Sequence, residues 1–248
     1  MLANNNKMII NKLAKNSVKS NKKQYGILFF TIVLSAFMLF CVFTIGLTYL
    51  DSSRLQNTRL NGAEYDITTM NGFTSKQVKS LQSNKNIQNV GMESYAGFIK
   101  SSEFDNTVEI GLLWCDETFW NNLMSPARTK LDGHYPQNKN ELMVTKDILK
   151  ACGNENLSVG DSIVLTYENN TGVHTDKFVI SGIWDGYGDK SAGFVSKNFY
   201  DETGYDLKND GILCIKLNRN YVLPTTIQSL EKSLNFSDRQ IFAPTDYR

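Results

Sequence analysis

The sequence predicts an α+β extracytoplasmic domain on a single N-terminal transmembrane helix: a split β-α-β sandwich lobe with an inserted, strand-rich second lobe. Three observations carry this. Residues 25–50, bounded by Tyr25 and Leu50, hold no charged side chain, and at a rise of 1.5 Å per residue a helix of this length reaches about 39 Å, against a hydrocarbon core of about 30 Å. A β-α-β pattern opens the remainder of the chain and a second one closes it. Between them lie short alternating runs separated by turn-forming residues, with no long helical period.

Charge sets the sidedness. Lys7, Lys12, Lys15, Lys19, Lys22 and Lys23 all precede the apolar run, no acidic residue does, and Asp51 follows directly. Cationic flanks stay in the cytoplasm, so residues 1–24 are expected there and residues 51–248 outside. A cleaved signal peptide would have an apolar core of about 7–15 residues, shorter than this run, and a small-x-small site after it, which is lacking. Cys41 lies within the run behind Phe40, which does not suit lipidation.

In chain order, residues 7–23 place Ile9, Ile10, Leu13, Ala14 and Val18 on one half of a helical wheel and Lys12, Lys15, Lys19, Lys22 and Lys23 on the other. This basic amphipathic helix can lie in the headgroup layer with its lysines toward anionic lipid, or serve only as a topology signal. After the transmembrane helix at 25–50, Leu50, Leu55 and Leu60 continue a helical spacing, so a stalk is expected over 51–61, ended by Gly62. The domain proper is 62–248. Strand 65–70, helix 73–84 (N-cap Thr74 or Ser75, buried face Val78 and Leu81) and strand 87–91 form the first β-α-β unit. Strand 211–217, helix 223–234 with Ile227, Leu230 and Leu234 inward, and strand 239–243 form the second. One lobe therefore comprises 62–94 and 197–248, with the four strands in one sheet, and 95–196 is inserted. The insert is read as strands 95–100, 108–115, 141–145, 162–167, 178–183 and 194–196 with short helices at 118–123 and 146–151. The turn chemistry of residues 168–174 makes a hairpin of 162–167 and 178–183.

The same residues limit the chemistry. Residues 51–248 carry 20 basic and 25 acidic side chains, a net −5, which disfavours nucleic acid as a partner. Residues 182–193, GIWDGYGDKSAG, resemble a phosphate loop only superficially, because Asp189 separates Gly188 from Lys190; they read as a flexible connector. Outside the membrane run stand Cys115, Cys152 and Cys214, so one internal disulfide at most can form. His134 and His174 have no companion at ligand spacing, and neither a metal nor another cofactor is expected. Trp114, Phe119, Trp120, Trp184, Tyr187, Tyr200 and Tyr205 belong mostly to the core of a domain this size, or else to a partner surface.

The segment LDGHYPQNKNELMVTKDIL, then LSVGDSIVLTY, then FVISGIW resembles the signature of the extracytoplasmic core domain of FtsX-like, MacB-type ABC transporter permeases. Gly133, Pro136, Asn140, Glu141, Val159, Gly160, Asp161, Gly182 and Ile183 occupy the pattern positions. The resemblance implies a transmembrane subunit that is not an enzyme, whose outer domain moves with ATP-driven motion. Its implied partners are a separate ABC ATPase subunit, the remaining permease helices or a second permease copy, and membrane lipid. Family members carry at least three further membrane helices, whereas the longest later apolar run here is about six residues. The sequence is therefore similar to the N-terminal part of such a permease. A stand-alone single-pass sensor or binding module is the alternative. A sortase-like transpeptidase, with Cys214 as nucleophile and Arg219 downstream of it in the sequence, requires a general base that only His134 or His174 can supply, neither in a matching context.

Overall fold

A helix in lipid satisfies its own backbone, so the uncharged run needs no partner to be helical. The computed structural model describes residues 7–100, 110–187, 192–218, 223–236 and 241–242. They fall into two units, Met1–Arg54 and Leu55–Arg248. In the first, helix α1 (Lys7–Ser20) is followed by a turn at Asn21 and helix α2 (Lys22–Asn61). Among the described residues α2 is the one helix long and apolar enough to cross a membrane. Thr31 Oγ1 donates back to Ile27 O at 2.9 Å, satisfying its hydroxyl within the helix. The expected basic helix over 7–23 is corrected at its end. Lys12, Lys15 and Lys19 stand on α1, but Lys22 and Lys23 open α2, because Asn21, a weak helix former, interrupts the regular structure.

The second unit begins in the last turns of α2, which runs through the expected stalk and stops at Asn61, before Gly62 at φ +77°. Strand β1 (Ile67–Thr69) leads to helix α3 (Ser75–Gln82). Thr74 caps α3 through a capping box in which its hydroxyl accepts from Gln77 N and the Gln77 side chain accepts from Thr74 N. Strand β2 (Ile87–Lys100), strand β3 (Ile110–Cys115), a π-helical turn at Phe119–Leu123 and a 3-10 turn at Ser125–Ala127 follow. Next come β4 (Arg128–Gly133), β5 (Glu141–Thr145), α4 (Lys146–Ala151), β6 (Ser162–Asn169) and β7 (Gly172–Gly186). The chain closes with β8 (Gly193–Val195), α5 (Lys197–Tyr200), β9 (Ile212–Leu217), α6 (Leu223–Leu234) and β10 (Ile241–Phe242).

Strands β10-β1-β9-β2 lie side by side, every pair antiparallel. This is the split β-α-β arrangement, with strands from the two ends of the unit interleaved. Val78 and Leu81 of α3 and Leu230 of α6 pack with Ile67, Val90 and Ile215 in one apolar cluster. The strand-rich part closes on itself: β2 pairs β3, β3 pairs β8, β8 pairs β5, β5 pairs β7, β7 pairs β6, and β6 returns to β2. A ring of strands leaves no free edge inside it and encloses its own core, here Leu112, Leu142, Ile163, Leu165, Phe178 and Val195.

Several expectations change in detail. Strands 87–91 and 95–100 are one strand, β2, continuous through 92–94, with a bulge between Tyr95 and Gly97, where Gly97 has φ +150°. The boundary expected between residues 94 and 95 therefore falls inside β2. The connector 182–193 is strand at both ends: residues through Gly186 belong to β7 and Gly193 opens β8, because Ile183 and Trp184 are held by packing and Trp184 Nε1 donates to Ala192 O at 3.1 Å. Residues 188–191 of that stretch lie outside the described residues, as do 108–109, 239–240 and 243 of two expected strands. The short helix expected at 118–123 is the π-helical turn. Strand β4 had no counterpart in the sequence reading.

Candidate functional site

The positions singled out in the sequence meet at one place on β7. Along one edge this strand pairs β6 as far as Val179, opposite Ser162, and pairs β4 from Gly182, opposite Gly133. Two turns bridge the gap. Gly160 N donates to Ile180 O at 2.8 Å, Ile180 N donates to Asp161 O at 2.9 Å, and His134 N donates to Ser181 O at 2.9 Å. On the β5 side Val179 N donates to Asn140 O at 2.8 Å. These bonds pair the backbone of Ile180 and the Ser181 carbonyl at the exchange of partners.

Several pattern residues have a mechanical reason to be there. Gly133 has φ +86°, and a Cβ on it would lie 2.2 Å from Ser181 O; one on Gly182 would lie 2.8 Å from His134 O. Gly160, at φ +94°, needs glycine for conformation alone. The Asp161 carboxylate accepts from Ser158 N at 2.8 Å, closing its turn. Pro136 is buried, and the Glu141 carboxylate accepts from Gln137 N (2.7 Å), Asn138 N (3.1 Å) and Asn138 Nδ2 (2.8 Å). Burial works to raise the Glu141 pKa, but these hydrogen bonds and the nearby His134 outweigh it and hold the carboxyl below the usual range. These residues build a junction in the sheet and bring no reactive group to it.

The thiols and imidazoles do not assemble a catalytic group either. Cys41, Cys115 and Cys214 carry free thiols. Burial pushes the thiols of Cys115 and Cys214 well above their ordinary values, and a thiol held protonated is a poor nucleophile. Cys214 packs on β9, 3.8 Å from Thr68 Oγ1, and Cys115 lies 3.6 Å from the Tyr135 hydroxyl. His134 Nδ1 lies 3.0 Å from Tyr135 O, and His174 Nε2 lies 2.7 Å from Thr171 Oγ1 on the β6–β7 turn. Arg219 lies outside the described residues. Among the described residues no group of three or more His, Cys, Asp or Glu is placed to hold a metal ion. Trp114, Phe119, Trp120, Trp184 and Tyr200 are buried, whereas Tyr187 and Tyr205 are half-buried.

Within the second unit, the last turn of α2 and the turn after it are fastened to the rest of the domain. The Arg59 guanidinium lies 4.0 Å over the Tyr187 ring, Thr58 and Ala63 are buried, and Glu64 N donates to Leu123 O at 2.7 Å. Lys216 Nζ bridges Glu64 and Asp66 at 3.1 and 3.3 Å, and Asp66 also accepts from Leu217 N at 2.8 Å. The turn after α2 is thus tied to β9 and to the π-helical turn.

A cavity of about 570 Å³ opens between the β6–β7 hairpin, the turn before β5 and the end of α5. Its base is a set of rings in mutual contact: Tyr167 with Phe178 (6.0 Å) and Phe199 (5.4 Å), Phe178 with Phe199 (5.5 Å), and His174 stacked on Tyr167 (5.5 Å). Asn140, the pattern residue, stands on its wall. The rest of this site escaped the sequence reading, since its side chains come from three separated segments that share no motif.

No protein-family model matches the chain, and no curated protein matches it. Among solved structures, the extracellular domain of the noncanonic ABC-type transporter YknZ from Gram-positive bacteria is similar at 10% identity and a TM-score of 0.47, covering 73% of this chain and 99% of that one. The periplasmic region of MacB from Actinobacillus actinomycetemcomitans is similar at 12% identity and a TM-score of 0.47, covering 74% of this chain and 90% of that one.

Proposed function

We propose that the chain is the transmembrane subunit, or the N-terminal part of one, of an ABC transporter of the FtsX-like, MacB type. Residues 1–24 lie in the cytoplasm in this reading, 25–50 cross the membrane, and 51–248 work outside it, with 95–196 as the distal lobe. A separate ATPase drives the motion, further permease helices or a second copy complete the membrane part, and lipid receives the apolar face of α1 and the flanks of α2. The outer domain transmits motion to a substrate or partner; catalysis at a side chain has no part in it.

One observation carries the reading. The motif positions shared with that family, scattered over 133–183, serve a single junction where β7 exchanges β6 for β4. The fastening to β9 of the segment that follows α2 is the route by which helix motion would enter the domain in this reading.

Topology and partnership test it separately. Single cysteines at Lys7 and Asp51, in a background lacking the native cysteines, are expected to label only after permeabilisation and in intact cells, respectively. The gene locus is expected to encode further spans and an ABC ATPase whose hydrolysis rate changes when it is reconstituted with this subunit. Reversed labelling, or a locus with neither, would overturn the reading in favour of a stand-alone membrane-anchored binding module.

A further inference from the structure

We propose that the cavity between the β6–β7 hairpin and α5 is a binding site for an uncharged, hydroxyl-rich ligand of the kind a sugar ring presents. The inference stands apart from the transporter reading, because it concerns only the chemistry of the cavity.

Charge comes first. Two lysines, Lys139 and Lys177, and two carboxylates, Asp176 and Glu202, line the cavity, so its wall has no net sign. Both carboxylates already have donors on the protein: Asp176 Oδ2 accepts from the Tyr167 hydroxyl at 2.6 Å, and Glu202 Oε2 is bound by Lys139 Nζ. An anion placed here would lie beside Asp176 and Glu202, and a cation beside Lys139 and Lys177. In either case a charge of the same sign is within the same small space.

Hydrogen-bonding capacity is the second point. Asn140, Asn169 and Thr171 join the charged groups around the rim, so neutral donors and acceptors stand among the charges there. Asn169 Oδ1 accepts from Thr171 N (2.8 Å) and Thr171 Oγ1 (2.7 Å), which leaves donors as what its amide can offer a ligand. A ligand with many hydroxyls both donates and accepts, and can meet such a mixed rim where an apolar molecule would leave it unpaired.

The base gives the third. Tyr167, Phe178 and Phe199 are mutually packed, with His174 stacked above Tyr167. The floor is therefore rigid and apolar beneath a polar rim, the division of labour usual in small-molecule sites, which run from about 300 to 1,000 Å³. A sugar ring has an apolar face of C–H groups and a polar circumference, the same two-part surface in relief. Rigidity is supplied from outside the cavity as well, because Asn170 Nδ2 donates to Gly204 O at 3.4 Å and ties the hairpin tip to the segment after α5.

Ligand-observed saturation-transfer NMR on the full chain in lipid nanodiscs tests this. The probes are N-acetylglucosamine, maltose and cellobiose, set against glucosamine and glucuronate as charged rings of similar shape. At least one neutral sugar is expected to bind saturably and about tenfold more tightly than both charged rings. Its affinity is expected to fall about tenfold in Asn140→Ala or Glu202→Gln. Both side chains are exposed, so an unchanged urea midpoint shows that the fold survives the substitution. The proposal is overturned if no neutral sugar saturates up to about 10 mM, if a charged ring binds as well or better, or if neither variant changes the affinity.

Discussion

Gly133→Ala tests whether the β7 junction has the rigidity argued for it. Position 133 has φ +86°, which costs an L-residue about 1–2 kcal/mol. The added Cβ would also stand 2.2 Å from Ser181 O and 2.9 Å from the Gly182 Cα, both backbone atoms in the middle of a paired strand. Relief requires β4 to move off β7, which loosens the His134 N to Ser181 O hydrogen bond, and overpacking of this kind adds about 1–3 kcal/mol. The expected loss of stability is therefore about 2–5 kcal/mol. Gly160→Ala is the control: its φ is +94°, but nothing lies within 4 Å of the new Cβ, so it should lose only the conformational part, about 1–2 kcal/mol. Urea denaturation of the full chain in detergent, followed by the fluorescence of the buried Trp114, Trp120 and Trp184, measures both. Equal losses for the two variants would refute the close approach of β4 and β7, and with it the account of why glycine stands at 133.

Four further outcomes are expected. In the reconstituted complex, Leu55→Pro removes a backbone donor from the stalk at a cost of about 3 kcal/mol or more of helix continuity, and should leave ATP hydrolysis running without outer-face function; intact coupling would contradict force entry through α2. Glu141, whose folded-state pKa is depressed, contributes stability above its unfolded value of about 4.3 and loses it as pH falls through the folded one. The stability gap between wild type and Glu141→Gln should accordingly shrink below about pH 4, and a gap independent of pH would remove the carboxylate from the turn. Burial, with smaller effects from Cys214 and Glu93, pushes Tyr65 up to about 12, so its contribution is complete below the unfolded value of about 10 and is lost as pH rises through the folded one. Tyr65→Phe should flatten the alkaline part of the stability profile, read by denaturation at stepped pH. Finally, Cys115 and Cys214 should resist maleimide at neutral pH until the protein is unfolded; rapid native labelling of Cys214 would reopen the thiol chemistry set aside above.

Local physics was legible in the sequence wherever one segment encoded its own structure. Thr74 and Gln77 announce the start of α3, Val78 and Leu81 its inner face, and Thr145 followed by Lys146–Ala151 fixes both the end of β5 and the start of α4. The turn residues after β6 predicted its pairing with β7, though not that β7 runs on to Gly186. What stayed hidden depends on distant partners. Strand β4 has no alternation to read, because every residue in it except Arg128 is exposed, and it exists only through its pairing with β7. The ring closes through the parallel pairs β3–β8 and β5–β7, which no local period encodes. Glycine positions were legible as a pattern, yet their joint purpose appears only when Gly133 and Gly182 are seen facing each other. The cavity was illegible for the same reason, since polar residues in three loops become a site only by proximity.

Strand β2 has a consequence for how the chain is made. It spans both parts of the sheet, pairing β9 along residues 87–93 and β3 and β6 beyond that. Its early half waits for Leu213–Leu217, over a hundred residues downstream, and at about 5–20 residues per second of synthesis that delay is several to tens of seconds. Through that interval the edge of residues 87–93 that faces β9 is unpaired and open to any other extended chain. The nascent domain thus passes through a window in which a holding chaperone competes with aggregation, and synthesis of the last strands, not of the ring, ends it.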